Sequence, residues 1–189
     1  MNKISIKALL VVDVLYDFMP GGSLAVKGGD SLAEPINGIR NEYDFVIFLK
    51  DLHPKDHCSF KENGGLWPIH CVDGTRGCEI DNNLIINPVD FVVTKGSNRD
   101  VDSYSGFWDN NRKYKTNLSS ILGNNNIDEV HIAGIATEYC VKWTALDAAE
   151  EGLKTSVILN LCRGIEARDG DVDKAVLEMI AHEINIIHA

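Results

Sequence analysis

A chain of 189 residues can bury a full core without disulfides or a structural metal, and a composition 44% hydrophobic and 24% charged with only 5 prolines excludes a disordered or fibrous chain. Eighteen Lys and Arg stand against 28 Asp and Glu, and the net charge of −10 is the wrong sign for a broad surface that binds nucleic acid or a membrane. The first apolar run, residues 8–12, is cut by Asp13, too early for a membrane span or a signal-peptide core, so a cytoplasmic chain is expected.

In chain order, a β-rich run at 8–14 is followed by a helical pattern at 31–41, with Leu32, Ile36 and Ile39 on one face, and a second run at 45–50. Residues 53–87 lack periodicity and carry Gly64, Gly65, Pro68, Gly74 and Gly77. A third run at 91–95 precedes a second irregular stretch, 96–111, in which Gly, Ser, Asp and Asn surround Tyr104, Phe107 and Trp108. Then come a strand at 130–135, a helix at 138–152 marked by Val141, Ala145, Ala148 and Ala149, a strand at 155–161, a helix at 171–182 and a weaker strand at 184–187. Most of the strand runs are continuous apolar blocks, as in strands covered on both faces, and they alternate with helices. The expectation is one doubly wound (Rossmann-like) α/β domain over residues 1–189, a parallel sheet with helices on both faces. Both long irregular stretches follow strand C-termini, where ligands bind in such sheets.

Chemistry-bearing residues gather at those strand ends. Cys140 follows the 130–135 strand on the first turn of the next helix, where Thr137 is a candidate N-cap; free N–H groups there cradle an oxyanion, and the positive helix end lowers a thiol pKa. Taken alone, Cys140 reads equally as a buried small hydrophobe. Asp13 ends the first strand; a lone Asp there reads first as a cap or a partner of a backbone N–H. Lys95 ends the third strand. Together the three make a base, a cation and a nucleophile at one sheet edge, which is what acyl transfer requires.

Cys58, Cys71, Cys78 and Cys162 lack such a setting, and the odd set of five cysteines, without a C-x-x-C pair, argues against a disulfide framework. Asp51 and His53 form a second constellation. Pro54 keeps His53 extended, so both side chains fall on one face, and with His57 and His70 the loop holds carboxylate and imidazole donors suited to a divalent zinc, iron or manganese ion. The alternative is a set of scattered surface histidines, with His57 capping a turn.

Five blocks carry a resemblance: residues 12–26 (VDVLYDFMPGGSLAV), 51–60 (DLHPKDHCSF), 67–75 (WPIHCVDGT), Lys95-Gly96 with 104–107 (YSGF), and 133–141 (AGIATEYCV). In order and over most of the chain, they resemble the nicotinamidase branch of the isochorismatase-like cysteine hydrolases. The resemblance implies six parallel strands in the order 3-2-1-4-5-6, an Asp13, Lys95, Cys140 triad, and one divalent metal, zinc foremost, on Asp51, His53 and His70. His57 is a further ligand that binds directly or through water, and Ser59 is a candidate beside it. It also implies a non-proline cis peptide at Ile135-Ala136, with the N–H groups of Ala136 and Cys140 as the oxyanion hole. Phe18 and Trp67 would wall the substrate ring, with Tyr104 near the mouth. Leu52, Leu15 and Tyr16 depart from the family pattern without touching the triad.

The activity implied is hydrolysis of nicotinamide, or pyrazinamide, to the acid and ammonia through a cysteine thioester, in NAD salvage, by a protein that is a monomer or a homo-oligomer. Rival readings are another hydrolase of the superfamily, acting on a carbamoyl or ureido amide, and a non-catalytic metal-binding protein on the same fold.

Overall fold

The computed structural model describes residues 5–189. Six strands, β1 (Lys7–Val12), β2 (Phe45–Asp51), β3 (Phe91–Lys95), β4 (Glu129–Ile135), β5 (Lys154–Arg163) and β6 (Asn185–Ile187), form one sheet in the order β3-β2-β1-β4-β5-β6. Every pairing is parallel, as the strand and helix alternation predicts. Alternate residues of β1 feed two cores. Ala8, Leu10 and Val12 pack with Leu118 and Leu122 of α2 (Leu118–Asn124), Ala145 and Ala148 of α3 (Lys142–Glu150) and Met179 of α4 (Asp171–Ala181). Leu9 and Val11 pack on the other face with Leu32 and with Ala33 and Ile36 of α1 (Ala33–Ile39). Burial on both faces explains the unbroken apolar runs. Among the described residues no helix is long and apolar enough to cross a membrane.

Several boundaries differ from the sequence reading. The first strand stops at Val12, because Asp13 takes a left-handed φ of 49° and turns the chain out of the sheet. The 31–41 helix is only Ala33–Ile39 in α form, flanked by short 3₁₀ turns. The helix after β4 begins with one π-helical turn, Thr137–Val141, whose N-cap is Ala136; Thr137 lies inside the turn and makes no capping bond. α2 was not predicted at all: Ser119, Ser120 and Gly123 interrupt a pattern that only Leu118, Ile121 and Leu122 support. The peptide Ile135-Ala136 is cis.

The topology places the chemistry. The chain winds outward through β1, β2 and β3 and then returns to β4 on the other side of β1, so the sheet switches direction between β1 and β4. At β4, Gly134 (φ 127°) packs so closely that a Cβ there would lie 2.0 Å from the Val12 carbonyl oxygen. That contact draws the segment bearing Cys140 toward Asp13.

Candidate active site

Asp13, Lys95 and Cys140 come together at the C-terminal edge of the sheet, all but sealed from solvent. Lys95 Nζ lies 2.8 Å from Asp13 Oδ2, 2.8 Å from Asp51 Oδ1 and 3.3 Å from Cys140 Sγ, and donates to the Ser103 carbonyl at 3.2 Å. The Asp51 N–H donates to Asp13 Oδ1 at 3.0 Å. One ammonium therefore neutralises part of two buried carboxylates, and it faces the thiol as well.

Burial pushes the Asp13 carboxyl up to about 6 against the pull of Lys95, a range that would suit a general base. Burial also drives the Cys140 thiol well above its ordinary value, opposed by Lys95 and reinforced by the two carboxylates. The sequence argument expected the helix end to lower this pKa. Desolvation outweighs that field and favours the neutral thiol, with Asp13 and Lys95 beside it.

Next to the triad, three lone pairs converge. His53 Nδ1 is 2.8 Å from the Gly96 carbonyl and His70 Nδ1 2.8 Å from the Pro68 carbonyl. Carbonyls only accept, so each ring when neutral holds its proton on Nδ1 and presents a bare Nε2. His53 Nε2 lies 3.2 Å, and His70 Nε2 3.9 Å, from Asp51 Oδ2, and His53 Nε2 is buried without a hydrogen-bond partner among the described residues. Two imidazole lone pairs and a carboxylate facing one another need a cation between them, and this donor set fits a divalent metal.

Burial works against the Asp51 charge, but Lys95 and His53 outweigh it and hold the carboxyl far below the usual range. Burial lowers the His70 pKa; at His53 the neighbouring Asp51 more than offsets it, and the value is raised. Gly96 (φ 70°) is fitted to this cradle, since a Cβ there would lie 2.5 Å from His53 Cε1.

His57 stands beside the cluster. Its ring stacks on His53 with centroids 4.1 Å apart, Nδ1 is 2.7 Å from Ser59 Oγ, and its ligand atom groups with His53 and Asp102 instead of Asp51 and His70. Phe18, Trp67 and Tyr104 all line a narrow pocket that opens onto Cys140, Ala136, Asp51 and His70. Trp67 Nε1 donates to the Tyr104 hydroxyl at 3.2 Å. Sequence reasoning missed Tyr139, which meets Trp67 edge-on at 4.9 Å, and Leu24, Asp102 and Ile165. Tyr139 adjoins Cys140 in a block already singled out, and Ile165 follows a strand C-terminus, so position alone could have marked both.

A family model of the isochorismatase domain matches residues 7–187. The chain belongs to the isochorismatase family. Within it, the chain is 38% identical to a nicotinamidase of Acinetobacter baylyi, over 95% of this chain and 91% of that one. The isochorismatase fold is also that of the Pyrococcus horikoshii pyrazinamidase in complex with zinc, with a TM-score of 0.87, 36% identity, and coverage of 97% of this chain and 99% of that one. Yeast nicotinamidase bound to the inhibitor nicotinaldehyde aligns at a TM-score of 0.92, with 33% identity over 97% of this chain and 100% of that one.

Proposed function

We propose that this protein is a nicotinamidase, an amidohydrolase that converts nicotinamide to nicotinic acid and ammonia. The observation that carries the reading is the opening of one narrow aromatic pocket onto both a buried Asp, Lys, Cys set and an Asp, His, His cradle. The first set suits cleavage of an amide; the second suits a substrate with a ring nitrogen to ligate.

In this reading Cys140 passes its proton to Asp13 as Sγ adds to the carboxamide carbon. The negative charge moves from Asp13 to sulfur and then to the carbonyl oxygen. Lys95 spans the first two positions, 2.8 Å from one and 3.3 Å from the other, and so stabilises both ends of the proton transfer. The backbone N–H groups of Ala136 and Cys140 receive the oxyanion. Collapse of the adduct breaks the C–N bond, Asp13 returns the proton to the leaving nitrogen, and ammonia departs from a thioester. Water, giving a proton to Asp13, adds to the thioester carbon; sulfur leaves and regains the proton, and the acid is released.

Asp51, His53 and His70 would hold the divalent ion, which we assign as zinc. Such an ion would supply Lewis acidity beside the pocket, where a ring nitrogen of the substrate could serve as a donor and electron density would be drawn from the carbonyl. Phe18 and Trp67 enclose the ring, and Tyr104, tied to Trp67, closes the mouth.

The test is ammonia release from nicotinamide by the purified protein loaded with zinc. One equivalent each of ammonia and nicotinic acid per amide consumed is expected, with no turnover by Cys140→Ala. Absence of turnover by the wild type, or retention by that variant, overturns the reading.

A further inference from the structure

Glu138 is two residues before the nucleophile, 7% exposed, and has no part in the chemistry above. Its Oε1 accepts the N–H of Glu166 at 2.7 Å, whereas its Oε2 is buried without a hydrogen-bond partner among the described residues. The segment it holds joins β5 to α4. Glu166 there has a left-handed φ of 52°, and its own Oε1 accepts the N–H groups of Gly170 at 2.6 Å and Asp171 at 3.1 Å, at the start of α4. Gly164 threads between two elements: a Cβ on it would lie 2.3 Å from Val172 Cγ2 and 2.8 Å from Glu138 Oε2. Between Gly164 and Glu166 lies Ile165, a wall of the active-site pocket.

A buried carboxylate satisfied at one oxygen is costly to keep, and its one bond fixes the residue beside a pocket wall. We propose that Glu138 is a positioning residue that sets the fit of the substrate ring, by clamping the Ile165 wall to the same π turn that carries Cys140. Ring wall and nucleophile then move as one unit, and the two carboxylates, Glu138 and Glu166, relay that rigidity to the first turn of α4. The inference deepens the nicotinamidase reading and rests on it for the identity of the ring. An apolar pocket wall binds ground state and transition state alike, so loosening Ile165 weakens uniform binding, which raises KM more than it lowers kcat.

Steady-state kinetics with nicotinamide should show Glu138→Ala raising KM about tenfold while kcat changes less than about threefold. Glu138→Gln, which keeps the acceptor oxygen, should restore most of the loss. Ile165→Ala should match Glu138→Ala, and the double variant should be no worse than the poorer single one, because both remove the same wall. Glu138→Asp, which withdraws the carboxylate by one methylene, should give an intermediate KM and serves if the alanine variant does not fold. Additive effects in the double variant, a loss in kcat at unchanged KM, or a Gln variant as poor as Ala would each overturn the proposal. Hydrogen exchange of the Glu166 amide, measured by NMR without substrate, reads the clamp directly. It should quicken in Glu138→Asp; unchanged exchange overturns the clamp, whereas a wild type that hydrolyses no amide overturns the nicotinamidase reading and leaves the exchange result to judge the clamp.

Discussion

At the residue scale, an ammonium wedged between two carboxylates ties the stability of the candidate site to one side chain. Removal of Lys95 would leave Asp13 and Asp51, joined by the Asp51 N–H bond to Asp13, as two like charges in a dry site. Breaking a buried pair from one side costs about 3–5 kcal/mol. Lys95→Met is therefore expected to lower the melting temperature by roughly 10 °C, at about 2–4 °C per kcal/mol for a chain of this size, besides abolishing turnover. Adding Asp13→Asn should return part of the stability and none of the activity. Thermal unfolding of the single and double variants checks this, and a loss under about 1 kcal/mol in Lys95→Met would mean that solvent reaches the cluster.

Cys140→Ser follows from the same environment: a neutral thiol is already hard to ionise here, and a hydroxyl is harder, so kcat/KM should fall at least about 100-fold. Asp13 and Lys95 stood out as polar groups at the ends of apolar strands and Cys140 as a thiol on the turn after one, but each alone read at least as well as structural, and only the set and the resemblance joined them. The state of the thiol was not readable, since desolvation by residues distant in sequence has no local signature.

At the element scale, the short turn at Tyr16–Phe18 braces the segment that carries His70 of the candidate metal cradle. Asp17 Oδ2 accepts the Cys71 N–H at 2.7 Å, and Oδ1 accepts the Ser23 N–H at 3.3 Å. Cys71 has a left-handed φ of 47° and adjoins His70, so the Asp17 bond holds an unfavourable backbone state next to a candidate metal donor. Gly77 allows the approach; a Cβ there would lie 2.0 Å from Asp17 Oδ2. Partners that fix a ligand's orientation typically carry about 10–100-fold in metal affinity. Asp17→Ala should weaken zinc binding by about tenfold or more on that basis, with Asp17→Asn affected less. Competition against a chromophoric chelator measures it, and an unchanged Kd would show that the Pro68 carbonyl alone orients His70.

Elements differ in how much of themselves they write into sequence. β1 and β4, covered on both faces, were plain. β3 is an edge strand, as the order implied by the resemblance places it, and it leaves Val92 exposed. α2 escaped notice because its two buried leucines are worth more in packing than its serines and glycine lose in propensity.

At the scale of the whole molecule, the strand order is what makes one site from residues 13, 51, 95 and 140. The alternation of strand and helix gave the fold class, and the resemblance supplied the order; pattern alone does not say that β4 returns to pair with β1. That return leaves a sheet with a core on each face, held independently of the metal cradle. The donors are likewise fixed without an ion: Asp51 by its place in β2, His53 and His70 by carbonyls on their Nδ1 atoms. Chelation should therefore leave the far-ultraviolet circular dichroism unchanged.

A ligand at 100 times its Kd stabilises by about 2.7 kcal/mol, so the metal-free protein should melt roughly 5–10 °C lower and still cooperatively. Activity should respond far more. Nicotinamide and pyrazinamide carry a ring nitrogen that could ligate an ion held by Asp51, His53 and His70, whereas benzamide has the same shape and no donor and would gain nothing from that ion. The aromatic walls treat the three rings alike. Trp67→Ala should consequently weaken all three amides together, while His53→Ala or chelation should collapse the preference for nicotinamide over benzamide, expected to exceed about 100-fold in the zinc-loaded wild type. Equal wild-type kcat/KM values for nicotinamide and benzamide would remove the metal from substrate recognition, and an unfolded metal-free protein would make the ion part of the fold.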